Sequence, residues 1–281
     1  MTVCAAPQLC TDLGSRVDDL GFLIRESADA YHVQARKYLS SHALADFRRC
    51  PLLYFRRQQG LVADEDRPAY VVGRAAHTLI LEGRTRFDAE YAVGGPVNPK
   101  TGAVFGQNTK AWTLWAEEQG KPVLTDAQVT LVERMNESVR SHLLARELLA
   151  HGVAEAVVRT QYRGIACQIR MDWFDPHGGL VDLKTCDDLH FFEADARRYG
   201  YLHQTAFYRA VLAQVIGLKV PVHFLAVEKK EPFRCGVWQV TADALALAER
   251  ENEAAIERLK ACSITASWPT GYETVRTFHS L

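Results

Sequence analysis

Asp172, Asp182 and Lys184 are the residues of this chain whose types and spacing could do chemistry. They stand in Ile169-Arg170-Met171-Asp172-Trp173 and Val181-Asp182-Leu183-Lys184-Thr185, on either side of Asp175-Pro176-His177-Gly178-Gly179. The turn-forming residues of that middle stretch reverse the chain and make its flanks two antiparallel strands. A loop that closes symmetrically pairs 174 with 180 and sets 172 opposite 182. Directly opposed side chains lie about 4.5–5.5 Å apart, and two like charges there repel. A divalent cation offsets the repulsion, since hard ions such as magnesium take oxygen ligands and are held by one or two carboxylates plus substrate phosphate. Lys184 shares the strand face of Asp182, opposite Val181 and Leu183. From there it can touch an attacking water or a scissile phosphate and stabilise the charge that builds up. The pattern so describes a metal-dependent nuclease centre. Its rival is a surface ion pair between Asp182 and Lys184, worth at most about 1 kcal/mol.

Three other segments bear on that choice. The run from Ala154 begins a strand that turns at Arg163-Gly164, and pairing 162 with 165 places Glu155 opposite Asp172 as a third acid. A slip of one residue would instead leave Glu155 on a solvent-facing strand edge. Tyr201, Gln204, Tyr208 and Leu212 recur at helical spacing, so Gln204 and Tyr208 either serve a phosphate and a water or pack in the core. His77 lies in a segment bounded by Pro68 and Gly83 that reads as a helix. Gly73 there permits close approach of another backbone, Arg74 offers a phosphate contact, and His77 offers a metal or water contact.

The punctuation of the chain sketches the elements that position these groups. Helices are expected over 40–59, 69–83, 125–150, 192–216 and 241–262, and strands over 155–186, 221–229 and 234–240. A loop rich in Gly, Pro and Asn runs from Gly94 to Asn108, ahead of a helix with Trp112 and Trp115. That loop either places Lys100 and Lys110 on phosphates or is a solvent loop. Residues 1–37 read as an N-terminal arm, and 38–281 as one domain, helical over 38–150 and catalytic over 151–281.

With 281 residues, 48% of them hydrophobic, the chain can bury one substantial core. Its seven cysteines are odd in number and scattered, which argues against a disulfide framework and for a reducing compartment. No apolar run suits a membrane span and no signal peptide is visible. The net charge of −1 is not that of a protein that coats nucleic acid. Nucleic-acid contact would fall to local groups, with Arg48, Arg49, Arg74, Arg198 and Tyr201 as candidates; arginine clusters are also common on solvated faces.

The ordered set of motifs resembles the PD-(D/E)xK nuclease superfamily and, within it, the exonuclease VIII-like (RecE-type) branch of phage recombination systems. The matching pieces are Ser40-Ser41-His42-Ala43-Leu44-Ala45-Asp46-Phe47 through Cys50-Pro51, Gly73 to His77, the Asp172 and Asp182-Leu183-Lys184 hairpin, Tyr201-x-x-Gln204-x-x-x-Tyr208, and Trp268-Pro269-x-Gly271-Tyr272. The resemblance implies an α/β fold, a restriction-endonuclease-like core with a central mixed β-sheet flanked by helices. It implies His77, Asp172, Asp182 and the Leu183 carbonyl as metal ligands, Lys184 as the catalytic lysine, and Gln204 with Tyr208 as the glutamine-tyrosine motif. Magnesium is the implied metal, with manganese as a substitute.

The implied reaction is 5′-to-3′ exonuclease action on linear double-stranded DNA. The implied partners are a single-strand annealing protein and further copies of the chain in a cyclic homo-oligomer. Endonuclease or RNA-directed action on the same fold, and a binding module without turnover, remain alternatives. Cys50-Pro51 resembles the first cysteine of relatives that hold an iron–sulfur cluster, but of their closely spaced C-terminal trio only Cys262 is present, so no cluster is expected. No G-x-x-x-x-G-K-[ST] loop is present, so action without ATP is expected.

Overall fold

The reversal at 175–179 has a local cause. Asp175 Oδ1 accepts the His177 N–H at 2.8 Å, the side-chain turn that Asp favours. Gly179 follows at φ +92°, and a Cβ there would lie 2.2 Å from the Pro221 carbonyl oxygen. Glycine is required at that position by both conformation and space.

The structure is a computed structural model that describes residues 20–62 and 68–277. Strands β3 (Val153–Tyr162), β4 (Ile165–Asp175) and β5 (Gly179–Cys186) follow two tiny strands, β1 (Ala92–Val93) and β2 (Val123–Leu124), that pair with each other. β6 (Val222–Glu228) lies parallel to β5, and β7 (Cys235–Gln239) antiparallel to β6, giving a five-stranded mixed sheet in the order β3-β4-β5-β6-β7. The helices are α1 (Ala28–Val33), α2 (Ser41–Arg49), α3 (Pro51–Gln58), α4 (Pro68–His77), α5 (Arg84–Glu90), α6 (Lys110–Gln119), α7 (Asp126–Ser141), α8 (Leu143–Leu148), α9 (Phe192–Arg198), α10 (Tyr201–Ile216) and α11 (Ala242–Thr265). A parallel pair needs a crossover of a dozen or more residues, and α9 with α10 supplies it between β5 and β6.

Helices cover both faces of the sheet. On one face Leu44 and Phe47 of α2, Phe207 and Leu212 of α10, and Ile256 of α11 pack on Val158, Ile169 and Leu180. On the other, Ala75 and Ala76 of α4, Phe87 of α5, and Val132 and Met135 of α7 pack on Val181, Leu183 and Leu225. The fold is the expected α/β arrangement.

Several expected helices are divided, each for a visible reason. The span 40–59 breaks because Pro51 follows an extended Cys50, whose Sγ accepts the Leu53 N–H at 3.4 Å and so caps α3. The span 125–150 breaks at His142, whose Nδ1 accepts the Ala145 N–H at 3.2 Å. The span 192–216 breaks at Gly200, left-handed at φ +73°. α4 passes into a π-helical turn, Thr78–Glu82, directly after His77.

The part of the expected arm within the described residues is fastened to the sheet: Ile24 bridges Val157 on β3, and Leu20, Phe22 and Leu23 pack against the core. Residues 1–19 lie outside the described residues. Among those described, no helix is long and apolar enough to cross a membrane.

Candidate metal centre

The site lies where the sheet comes apart. β4 and β5 pair through Asp175↔Gly179, Phe174↔Leu180 and Trp173↔Val181, as a symmetric loop requires, and the ladder then stops. At the next rung Asp172 Oδ2 accepts the Leu183 N–H at 2.8 Å, so a carboxylate takes the place of a backbone partner. The β3–β4 ladder is interrupted on the same rung: Ala154↔Trp173 and Ala156↔Met171 pair, while Glu155, opposite Asp172, does not. Glu155 is left-handed at φ +52°, an unusual conformation for a residue with a side chain. Alternation slips there in both strands, since Val153 and Ala156 share one core, as do Met171 and Phe174. Such local irregularities re-aim side chains beside active sites.

The irregularity brings three ligand-type groups together. One ligand atom each from His77, Glu155 and Asp172 lie within 4.8 Å of one another, and His77 Nδ1 is 3.6 Å from Asp172 Oδ2. Burial and then the Asp172 charge push the Glu155 carboxyl up to about 8, against the pull of Arg170, whose Nε lies 2.9 Å away. Burial also raises Asp172, partly opposed by Lys184 and the Leu183 backbone. His77 is pushed down to about 4 by burial and by Lys184, so at neutral pH it is an uncharged imidazole able to donate a lone pair. Acids held above their usual range beside a neutral imidazole form a donor set that a divalent cation fits.

Asp182 and Lys184 stand beside this trio on the sheet face toward α10. Lys184 Nζ is 2.6 Å from Asp182 Oδ2. The two oxygens of Asp182 are buried without a hydrogen bond of good geometry, and burial raises this carboxyl to about 6 despite the lysine. Burial alone would lower Lys184, but Asp182 and Asp172 together hold it above its ordinary value. The Tyr201 ring covers the ammonium at 4.8 Å. Gln204 Nε2 donates to the Tyr208 hydroxyl at 3.0 Å, and Tyr208 is buried, its phenol raised by burial and by the facing Asp172 and Asp182 charges. Tyr208 is thus packed in the core within the field of the acids, and half-buried Gln204 is bonded to it.

A family model described as a PDDEXK-like domain of unknown function (DUF3799) matches residues 40–280. The chain belongs to this family. A crystal structure from Eubacterium rectale, described as a "putative exonuclease", superposes with a TM-score of 0.66 at 17% identity, over 92% of this chain and 97% of that one. A search of curated proteins finds no match. PD-(D/E)xK nucleases use divalent metals, and His77, Glu155 and Asp172 form a donor set suited to one.

The remaining candidates of this PDDEXK-like chain are dispersed. Arg74 is exposed, one turn before His77 on α4. Gly73 faces the Thr185 hydroxyl, where an added Cβ would make ordinary contact at 3.7 Å, so no unusually close approach occurs there. Arg48 is half-buried and donates to Asn252 Oδ1 at 2.6 Å, Arg49 is exposed, and Arg198 lies over the Tyr199 ring at 5.6 Å. Two neighbours of the centre escaped the sequence reading. Arg170 shares the strand parity of Asp172, a signal that was available. His42 at the start of α2 is partly exposed, yet surrounding protein and then the Lys184 charge lower its pKa, while Asp182 acts on it in the opposite sense. Its position on α2 carried no such signal.

Proposed function

We propose that this chain is a magnesium-dependent deoxyribonuclease, with manganese as a substitute, and that it acts as a 5′-to-3′ exonuclease on linear double-stranded DNA. The observation that carries the reading is the meeting of His77, Glu155 and Asp172 beside the Asp182–Lys184 pair, at the rung where β4 parts from both neighbours. His77, Glu155 and Asp172 hold the metal, with Asp182 and the Leu183 carbonyl completing its surroundings. A divalent cation there supplies Lewis-acid polarisation of the phosphate and lowers the pKa of water.

The protein's own groups do the rest. Lys184 holds a positive charge beside Asp182 and stabilises charge developing on the scissile phosphate. Tyr201 fixes the lysine from above, and the Gln204–Tyr208 pair fixes the wall behind the acids. Water oxygen bonds to phosphorus, the phosphorus–O3′ bond breaks, and a 5′-phosphate and a 3′-hydroxyl result. Production of 3′ single-stranded tails for an annealing protein, and closure of several copies into a ring around DNA, follow from the RecE-type resemblance.

The test is digestion of linear duplex DNA labelled at its 5′ ends, beside a covalently closed circle and single-stranded RNA, with magnesium or EDTA. Magnesium-dependent release of labelled mononucleotides from the linear form alone supports the reading. Cutting of the circle assigns an endonuclease, cutting of RNA alone an RNA-directed enzyme, and binding without cutting a module that lacks turnover.

A further inference from the structure

A cleft of about 460 Å³ opens between the end of α2, the C-terminal part of α11 and the segment after it. Among its lining residues are Arg48, Arg49, Arg258 and Arg276, and none of the described residues that line it is acidic. That is a dense local charge on a chain with 33 basic and 34 acidic residues. Arg49 and Arg258 are exposed. Arg48 is bound to the neutral Asn252 side chain at 2.6 Å. Arg276 donates to the Gly271 carbonyl at 2.6 Å and lies over the Tyr272 ring. Among the described residues no carboxylate forms an ion pair with any of the four. Glu251, the acid that acts on Arg48, is held by His203 at 2.5 Å. Four guanidinium groups that no described carboxylate pairs with make a site for a phosphate-bearing ligand.

Two links relate the cleft to the catalytic centre. His42, on which the Lys184 charge acts, and Arg49 are seven positions apart on α2, so they share one helix face with the small Ala45 between them. At 1.5 Å per residue they are separated by about 10 Å, roughly three nucleotides at the 3.4 Å rise of a B-form strand. A second link runs through Gly200: a Cβ there would lie 3.3 Å from Arg48 Nη2, and the next residue, Tyr201, covers Lys184.

We propose that this arginine-lined cleft grips the backbone of the nucleic-acid strand about three nucleotides from the bond being cut. The proposal rests on the nuclease reading and adds Arg258 and Arg276 to the substrate contacts. The grip is electrostatic and independent of sequence.

The experiment measures binding in EDTA, so that turnover plays no part. The affinity of a fluorescent single-stranded DNA dodecamer is titrated against salt for the wild type, the R49A/R258A variant and the R49K/R258K variant. Each phosphate contact contributes about 0.7 to the log–log salt slope of single-strand binding. The alanine variant is therefore expected to lose about 1.4 from that slope and on the order of tenfold in affinity at low salt, while the lysine variant keeps the slope. Deoxyadenosine monophosphate, in a parallel titration, is expected to bind far more weakly than the dodecamer.

An unchanged slope in R49A/R258A, in a protein that binds and cuts DNA, overturns the cleft proposal alone. Mononucleotide binding as tight as that of the dodecamer, lost in the alanine variant, overturns it in favour of a small-nucleotide site. Neither binding nor cutting by the wild type overturns the nuclease reading and this proposal together.

Discussion

Replacing Glu155 with glutamine should make the metal-free protein more stable and the enzyme inactive. Glu155 lies opposite Asp172 with its side chain 15% exposed, and its carboxyl is raised from 4.5 to about 8. An acid whose folded pKa lies above its unfolded value favours the fold most below the unfolded value, and that advantage fades as pH rises through the folded value. Relative to an uncharged isostere, Glu155 therefore costs nothing near pH 4 and costs more with each unit from 4.5 toward 8, where the penalty levels off. At 1.36 kcal/mol per unit the penalty at pH 7 is about 3 kcal/mol.

Glutamine keeps the shape and can still accept from Arg170, so E155Q should melt roughly 5–10 °C higher than the wild type in EDTA at pH 7–8. The difference should vanish near pH 4.5. Saturating magnesium should narrow or reverse the gap, because the wild-type carboxylate then has a cation to bind. The assay is thermal unfolding of both proteins across pH, with EDTA and with magnesium, together with nuclease activity. A variant less stable than the wild type in EDTA at pH 8, or a difference independent of pH, would refute the argument that Glu155 is held for a cation.

Further outcomes follow from the same geometry. Lys184→Met should lower kcat by about 10²–10³-fold. Because Lys184 holds the Asp182 carboxyl down, the residual pH–rate profile should move to higher pH, measurable by initial rates on linear DNA. His77→Ala should weaken magnesium binding at least about tenfold while leaving melting in EDTA near that of the wild type, as read by calorimetric titration. Gly179→Ala should destabilise by at least about 1–3 kcal/mol, because φ is +92° and the Pro221 carbonyl occupies the space of a Cβ; chemical denaturation measures it.

Much of the centre was legible in the sequence because it depends on a short hairpin. Turn residues at 175–179 fix the pairing of 174 with 180, and strand alternation puts Val181 and Leu183 in one core and leaves Asp182 and Lys184 on the other face. Counting back from the 162–165 turn brought Glu155 opposite Asp172. Counting did not reveal that the ladder opens on that rung, because the left-handed Glu155 is a response to tertiary surroundings and no glycine marks the place. Helix interruptions at Pro51 and Gly200 were present as residues, but apolar periodicity runs across both and masks them. Long-range relations such as the Lys184 charge acting on His42, or the cleft that Arg258 and Arg49 both line, depend on how α2 and α11 dock, which no local pattern encodes.

The central claim is that His77, Glu155 and Asp172 together hold a divalent cation beside Lys184. Its most direct test is anomalous diffraction at the manganese edge from crystals of the protein grown with manganese, with crystals of the Asp172→Asn variant as the comparison. The account predicts a peak contacted by His77, Glu155 and Asp172 in the wild type and a weakened or absent peak in the variant. A protein that cuts DNA with manganese yet shows no peak there, or shows it elsewhere, would contradict it.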